Sequence, residues 1–148
     1  MVCGLMCTSV FQAQAQTQVQ SLTNVQALSF GSFAAGYGGG VTISAAGLRS
    51  KTGDVILLSS DNGSAGQFTV NGLPNQTYSI VLPANGTVLL TSGTSSMTVN
   101  YFTSKPSLTG TLSLSGTQTL AIGATLGIAN NQKPGVYNGT FAVTANYN

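Results

Sequence analysis

The chain has no histidine, no glutamate and no tryptophan. Its whole charged inventory is Arg49, Lys51, Lys105, Lys133, Asp54 and Asp61. General acid–base catalysis draws on His, Glu, Asp or Lys held at a tuned pKa. Only two carboxylates are available, both in turn-like sequence: Thr52-Gly53-Asp54 and Ser60-Asp61-Asn62-Gly63. An acid–base pair, a Ser-His-Asp triad or a histidine-based metal site has little to be built from. The chain therefore reads as non-enzymatic, with no catalytic residues, no cofactor and no metal. A net charge of +2 with a single local basic trio, Arg49-Ser50-Lys51, also argues against nucleic acid, which calls for a Lys/Arg cluster or stripe. That trio reads as a solvated turn. Asp61-Asn62-Gly63 offers one carboxylate where a calcium site wants six to eight oxygens, so a plain Asx turn is expected there.

Cysteine is scarce too, and its two copies, Cys3 and Cys7, sit at the start of the chain. Residues 1–15 read MVCGLMCTSVFQAQA. An apolar stretch from Val2 to Phe11 is followed by Ala13-Gln14-Ala15, which has the small-x-small form of an export-signal cleavage site. Cleavage after Ala15 would leave Gln16 as the mature N-terminus, with no cysteine and no disulfide. No Lys or Arg precedes Arg49, although an export signal opens on positive charge, so the natural chain is expected to start upstream of Met1. Cys7 after Leu5-Met6 fits a lipoprotein site poorly. The apolar stretch is too short for a membrane span, which needs about 20 residues. The expectation is an exported protein, at the cell surface, in the periplasm or outside the cell, with no transmembrane segment in the mature chain.

What the chain does have is threonine, serine, asparagine, glutamine, glycine and short β-branched or aromatic runs. At 148 residues it is one domain, long enough for a core. The runs are 25–33, 40–45, 54–60, 65–71, 77–82, 87–91, 96–103, 110–114, 118–122, 125–129 and 136–147. Their spacing, with Gly, Asn, Pro and Ser between them, predicts an all-β sandwich or barrel. Period-two alternation places Phe68 with Val70, Tyr78 with Ile80 and Leu82, and Phe141 with Val143 and Ala145 on single faces. No stretch carries a helical period. Asn62-Gly63 and Asn85-Gly86 read as turns, whereas Asn138-Gly139 interrupts a strand pattern and reads as a bulge or a hairpin. Gly36-Tyr37-Gly38-Gly39-Gly40 leads into a strand, which suits a connection and not a phosphate loop. Four N-x-[ST] matches, at Asn62, Asn75, Asn85 and Asn138, are what turn residues before Thr-rich strands produce. No fixed repeat holds along the chain. Tyr37, Tyr101, Tyr137 and Tyr147 are the aromatics that a carbohydrate-binding patch would use.

Two stretches are more specific. Leu28-Ser29-Phe30-Gly31-Ser32-Phe33-Ala34-Ala35-Gly36 opens the pattern, and residues 134–147, PGVYNGTFAVTANY, close it. Together they resemble the DUF4402 family of exported bacterial proteins. More distantly, they are similar to spore-coat-U-type and chaperone–usher pilin subunits. The resemblance implies an immunoglobulin-like, pilin-like sandwich whose last strand is incomplete. It implies a gap filled first by a periplasmic chaperone and then by the N-terminal extension of a neighbouring subunit, through β-strand addition. On that reading residues 16–24 are an N-terminal extension and residues 25–148 the sandwich. Val19, Leu22 and Val25 are the candidate donor residues, and Phe141, Val143 and Ala145 lie on the candidate acceptor edge strand. Val19 and Leu22 are three apart and face opposite ways unless a bulge intervenes. The same segment can equally be the first strand of a closed domain. The expected function is a structural or adhesive surface subunit; the alternative is a monomeric carbohydrate- or surface-binding module.

Overall fold

The computed structural model describes residues 2–9 and 21–148. They form thirteen strands: β1 (Val2–Ser9), β2 (Ser21–Gln26), β3 (Leu28–Ala34), β4 (Gly39–Ile43), β5 (Arg49–Gly53), β6 (Ile56–Leu57), β7 (Gly66–Asn71), β8 (Thr77–Val81), β9 (Val88–Ser92), β10 (Ser95–Lys105), β11 (Thr109–Thr111), β12 (Thr117–Ile128) and β13 (Val136–Tyr147). No helix occurs among the described residues. The hydrogen-bonded path runs β2-β7-β12-β10-β9-β13-β1-β3-β6; β4 and β5 extend from β12, and β8 and β11 from β13. The result is the all-β sandwich that the strand spacing predicts.

Alternation builds the core. Phe68 and Val70 of β7, Tyr78 and Ile80 of β8, and Phe141, Val143 and Ala145 of β13 are all buried, as their period-two pattern requires. They meet Leu120, Ile122 and Leu126 of β12 and Leu90, Met97 and Val99 of the β9–β10 hairpin in one continuous cluster. Strand β3 breaks the rule: Phe30 and Phe33 are three apart, yet both are fully buried. Gly31 between them has φ +75, and an extra residue in β3 shifts its pairing with β1 at this point. A glycine bulge of this kind re-aims the chain by one residue, which brings both rings to the core.

Four local expectations are corrected. Arg49-Ser50-Lys51 is not a solvated turn but most of β5, paired along its length with β4. Its residues are polar throughout, so it carries no alternation signal. The 54–60 run holds only the two-residue β6. The runs 118–122 and 125–129 form a single strand, β12, which pairs with β7 through its first half and with β4 through its second. Asn62-Gly63 and Asn85-Gly86 do turn, each with its glycine at positive φ. Asn138-Gly139 is neither hairpin nor bulge, because β13 runs through it without a register shift against β1.

Candidate functional site

The site expected from sequence is an acceptor edge on the C-terminal strand, so the neighbours of β13 matter most. On one side β13 meets β9 at Asn138↔Thr91 and then β8 from Thr144↔Val81 to Tyr147↔Tyr78. β8 and β9 thus follow one another along the same flank, with residues 82–87 looping out between them. An open cleft of about 440 Å³ lies where the partner changes, lined by Val81, Pro83, Val88, Thr140 and Phe141 among others. On its other side β13 pairs with β1, in parallel, from Val2↔Val136 to Ser9↔Val143. Strand β1 also pairs with β3, antiparallel, from Leu5↔Leu28 to Val2↔Ser32. The first strand of the chain therefore lies in a slot whose walls are β3 and β13.

Each wall is rigidly seated. Tyr137 is fully buried, its phenol donates to Lys133 O at 2.6 Å and it accepts from Gln132 Nε2 at 3.0 Å. Tyr147 is also buried, and its Oη accepts from Leu73 N at 2.7 Å. Neither belongs to a surface patch, which corrects the expectation for these two. Each ring is swallowed by the core while its hydroxyl caps a loop backbone. Gly139 sits between them because the chain passes so close to β9 that a Cβ would collide with Leu89 O. Phe141 packs at a tilt against Phe102, with ring centroids 5.1 Å apart. The β3 wall is pinned by the 58–64 loop. Ser29 and Ser64 exchange backbone hydrogen bonds of 2.9 and 2.8 Å, and Ser32 N donates to Asp61 O at 2.9 Å. The Arg49 guanidinium spans the same seam, donating to Ser32 O, Asp61 O and Leu58 O at 3.0, 2.9 and 2.7 Å.

The sequence-derived residues divide. Phe141, Val143 and Ala145 lie on β13, and all three point into the core. Among the donor candidates, Leu22 is buried opposite Val70 as part of β2, which pairs with β7 of the same chain. Val25 is 64 % exposed on the other face, and Val19 lies outside the described residues. From Ser21 onward this segment is used as a strand of its own domain. Ala13-Gln14-Ala15 also lies outside the described residues. What sequence reasoning missed is β1 itself. The apolar letters of Val2–Ser9 read as an export signal and carry no mark of a distant pairing partner.

Chemical groups are sparse. The Asp61 carboxylate closes an Asx turn on Gly63 N at 2.9 Å, as expected. No cluster of three His, Cys, Asp or Glu side chains that could hold a metal occurs among the described residues. Burial pushes the Tyr78 phenol up to about 12, and its hydroxyl bonds Gln118 Oε1. No helix among the described residues is long and apolar enough to cross a membrane. Tyr37 and Tyr101 are exposed, and Tyr101 holds a left-handed backbone, φ 54, where β10 slips its register against β12.

A family profile described as a domain of unknown function, DUF4402, matches residues 20–147, from just before β2 to the last residue of β13. No curated protein matches the chain. The chain belongs to the DUF4402 family.

Proposed function

Taking the chain as a DUF4402 domain, we propose that it is an exported, non-enzymatic structural subunit of a surface or pilus-like assembly, built by β-strand addition. The observation that carries this reading is the slot between β3 and β13. A sandwich in which one strand position is filled from a sequence-remote segment is a sandwich whose edges accept a strand. The scarcity of titratable groups and of ligand clusters supports the non-enzymatic part. The apolar stretch and Ala13-Gln14-Ala15 support export. The test is the exported protein recovered from expressing cells, run without boiling in SDS. Ladders that collapse on boiling are expected. A recovered protein that stays strictly monomeric by light scattering at high concentration overturns the reading.

A second reading, a module that binds neutral hydroxylated surfaces, is favoured by one feature. The outer sheet face carries uncharged cross-strand rows: Thr23, Thr69 and Thr119 in one, and Ser50, Thr42, Thr125 and Asn100 in another. Tyr101, 66 % exposed, follows Asn100 of the second row in sequence. Binding to a neutral polysaccharide that is lost in Tyr101→Ala supports this reading, and no binding across a glycan array removes it.

A further inference from the structure

We propose that the leucine-tipped pair of loops at one end of the sandwich docks into the cleft beside Phe141 of a second copy of the chain, in a head-to-tail contact that exchanges no strand. The proposal rests on the reading of the chain as a subunit of an assembly, and adds to it a partner surface and a polarity.

The loops are 72–76, between β7 and β8, and 112–116, between β11 and β12. Leu114 is 84 % exposed, the most exposed large hydrophobic side chain among the described residues, and Leu73 is 55 % exposed. Single exposed leucines are ordinary. This pair differs in how the backbone around it is used. Gly72 N donates to Gly116 O, Asn75 N and Gly116 N to Ser113 O, Gln76 N to Leu73 O, Leu112 N to Gln76 O and Ser113 N to Thr117 O, at 2.8–3.3 Å. Leu73 N donates to Tyr147 Oη at 2.7 Å. Seven of the nine backbone N–H groups in the two loops are thus engaged, and the other two belong to Leu114 and Ser115. The hydroxyls of Ser113, Ser115 and Thr117 bond one another. Neither loop holds a charged residue. A polar group resists burial much less when its hydrogen bond is already made. This tip can therefore leave water with little penalty.

The receiving surface lies on the same chain. The cleft of about 440 Å³ is lined by Val81, Leu82, Pro83, Val88 and Phe141 and has no ionisable side chain in its wall. Clefts of roughly 300–1,000 Å³ take small ligands, so there is room for both leucine side chains. It opens where β13 changes partner between Asn138 and Thr144, which brings the core ring of Phe141 to its wall. Neither side of the contact has a charge to desolvate.

Strand β8 sets the polarity. Its first residue, Thr77, follows the 72–76 loop, and its last, Val81, lines the cleft. That length of strand holds tip and cleft about 13 Å apart. Pairing with β11 on one side and β13 on the other keeps it straight, so a tip cannot fold back into its own cleft. Two different surfaces on one chain make the contact heterologous. Every pair leaves one tip and one cleft free, and the contact propagates as an open chain or a ring. Two leucines and their surrounds bury far less than the roughly 1,200 Å² of a standard interface. A single contact is accordingly weak and gains from repetition along an assembly.

Two variants of the full chain test the contact. Leu73→Gln with Leu114→Gln removes the tip, and Ala142→Arg, at an exposed position in the cleft wall, blocks the cleft. Sedimentation of the parent should show concentration-dependent self-association, weakened at least about 10-fold in either variant, the value of one buried leucine. Equimolar mixing of the two variants should restore association but stop it at dimers, because one good tip meets one good cleft. In NMR spectra of the isotope-labelled tip variant, unlabelled cleft variant at up to about 1 mM should shift amides within 81–88 and 140–144. No shifts there, or self-association equal to the parent in both variants, overturns the proposal. If a variant loses its fold, a benzophenone photo-crosslinker at position 114 of the otherwise unchanged chain replaces it. Crosslinks to 81–88 or 140–144 of an isotopically distinct copy are expected, and crosslinks only elsewhere overturn the proposal. Binding to neutral phosphatidylcholine vesicles that is lost with the tip, without cleft shifts, overturns it in favour of a lipid surface. SDS-resistant ladders without tip-dependent association remove this contact and leave the subunit reading. Tip-dependent association without ladders upholds the contact and removes strand addition.

Discussion

Removing the Arg49 side chain should loosen the β3 wall of the slot more than any other single change to a charged residue. Its Nη1 donates to Phe30 O, Ser32 O and Asp61 O at 3.3, 3.0 and 2.9 Å; its Nη2 donates to Leu58 O at 2.7 Å and Asn62 Oδ1 at 3.2 Å. Hydrogen bonds from a charged donor contribute about 1.5–3 kcal/mol each when taken singly. They do not add here, because all five belong to one group. Two of the acceptors keep a second donor: Ser32 O receives Leu58 N at 3.0 Å and Asp61 O receives Ser32 N at 2.9 Å. Arg49 is half-buried, so water replaces part of what is lost. Together these terms give about 2–3 kcal/mol for Arg49→Ala, from the low end of the single-bond range upward. At this chain length each kcal/mol moves Tm by about 2–4 °C.

Arg49→Lys is the sharper probe. A single ammonium cannot reach acceptors on both arms of the fork, so less than half of the loss should be recovered. Lys51, two residues along the same strand, makes one long contact with Gly53 O at 3.4 Å, and Lys51→Ala should stay within about 0.5 kcal/mol of the parent. Urea unfolding followed by tyrosine fluorescence and circular dichroism measures all three. An Arg49→Ala variant within about 0.5 kcal/mol of the parent, or a lysine variant equal to it, would refute the clamp.

Tyr147→Phe should cost about 1–2 kcal/mol in urea unfolding, because it leaves Leu73 N without its acceptor while keeping the ring. Tyr78 governs the alkaline limit. Its folded pKa, about 12, lies above the ordinary value of 10.0, so its contribution is complete below pH 10 and is lost as pH rises through 12. The parent should therefore lose stability across that window, and Tyr78→Phe should flatten the loss when Tm is measured from pH 9 upward. Gly139→Ala should destabilise by about 1–3 kcal/mol, since the added methyl meets the backbone of β9. Tyr101→Gly should leave stability unchanged or raise it by up to about 1 kcal/mol, by relieving a left-handed tyrosine; a marked fall in Tm would show that the ring is a packing residue.

Much of the fold was legible because alternation reports burial directly. Phe68-Thr69-Val70 and Phe141-Ala142-Val143 each state which residues face inward, and the structure agrees. Alternation reports a face, however, and not a neighbour. Nothing in Val2–Ser9 announces that it pairs with residues more than 130 positions away. β5 was invisible for the opposite reason: a polar edge strand has no buried face to mark it, and its existence depends on β4 beside it. The tyrosines failed on a third ground. Tyrosine suits both rims and cores, and only the loop backbones at Lys133 and Leu73, brought near by tertiary structure, decide that Tyr137 and Tyr147 go inside. Leu22 and Val25 show the same limit. Sequence offered both as donor residues or as part of a first strand, and only the pairing with β7 shows that the segment is already in use.

The remaining strand ends explain why the slot stands apart. An exposed strand edge invites other chains, and proteins blunt such edges by shortness, charge or bulges. β6 has two residues and β11 has three. β5 carries Arg49 and Lys51, half of the four cations in the chain. β2 slips its register between Asn24 and Gln26, and the Asn24 side chain covers Gln26 O and Gln67 O at 3.0 and 3.1 Å. Each terminal strand is thus made unattractive by a local device. β3 and β13, seven and twelve residues long and without a charge, carry none of these except the Gly31 bulge. Their protection comes from a whole strand, β1, paired with both of them. With so little charge in the chain, repulsion cannot keep such walls apart from other strands.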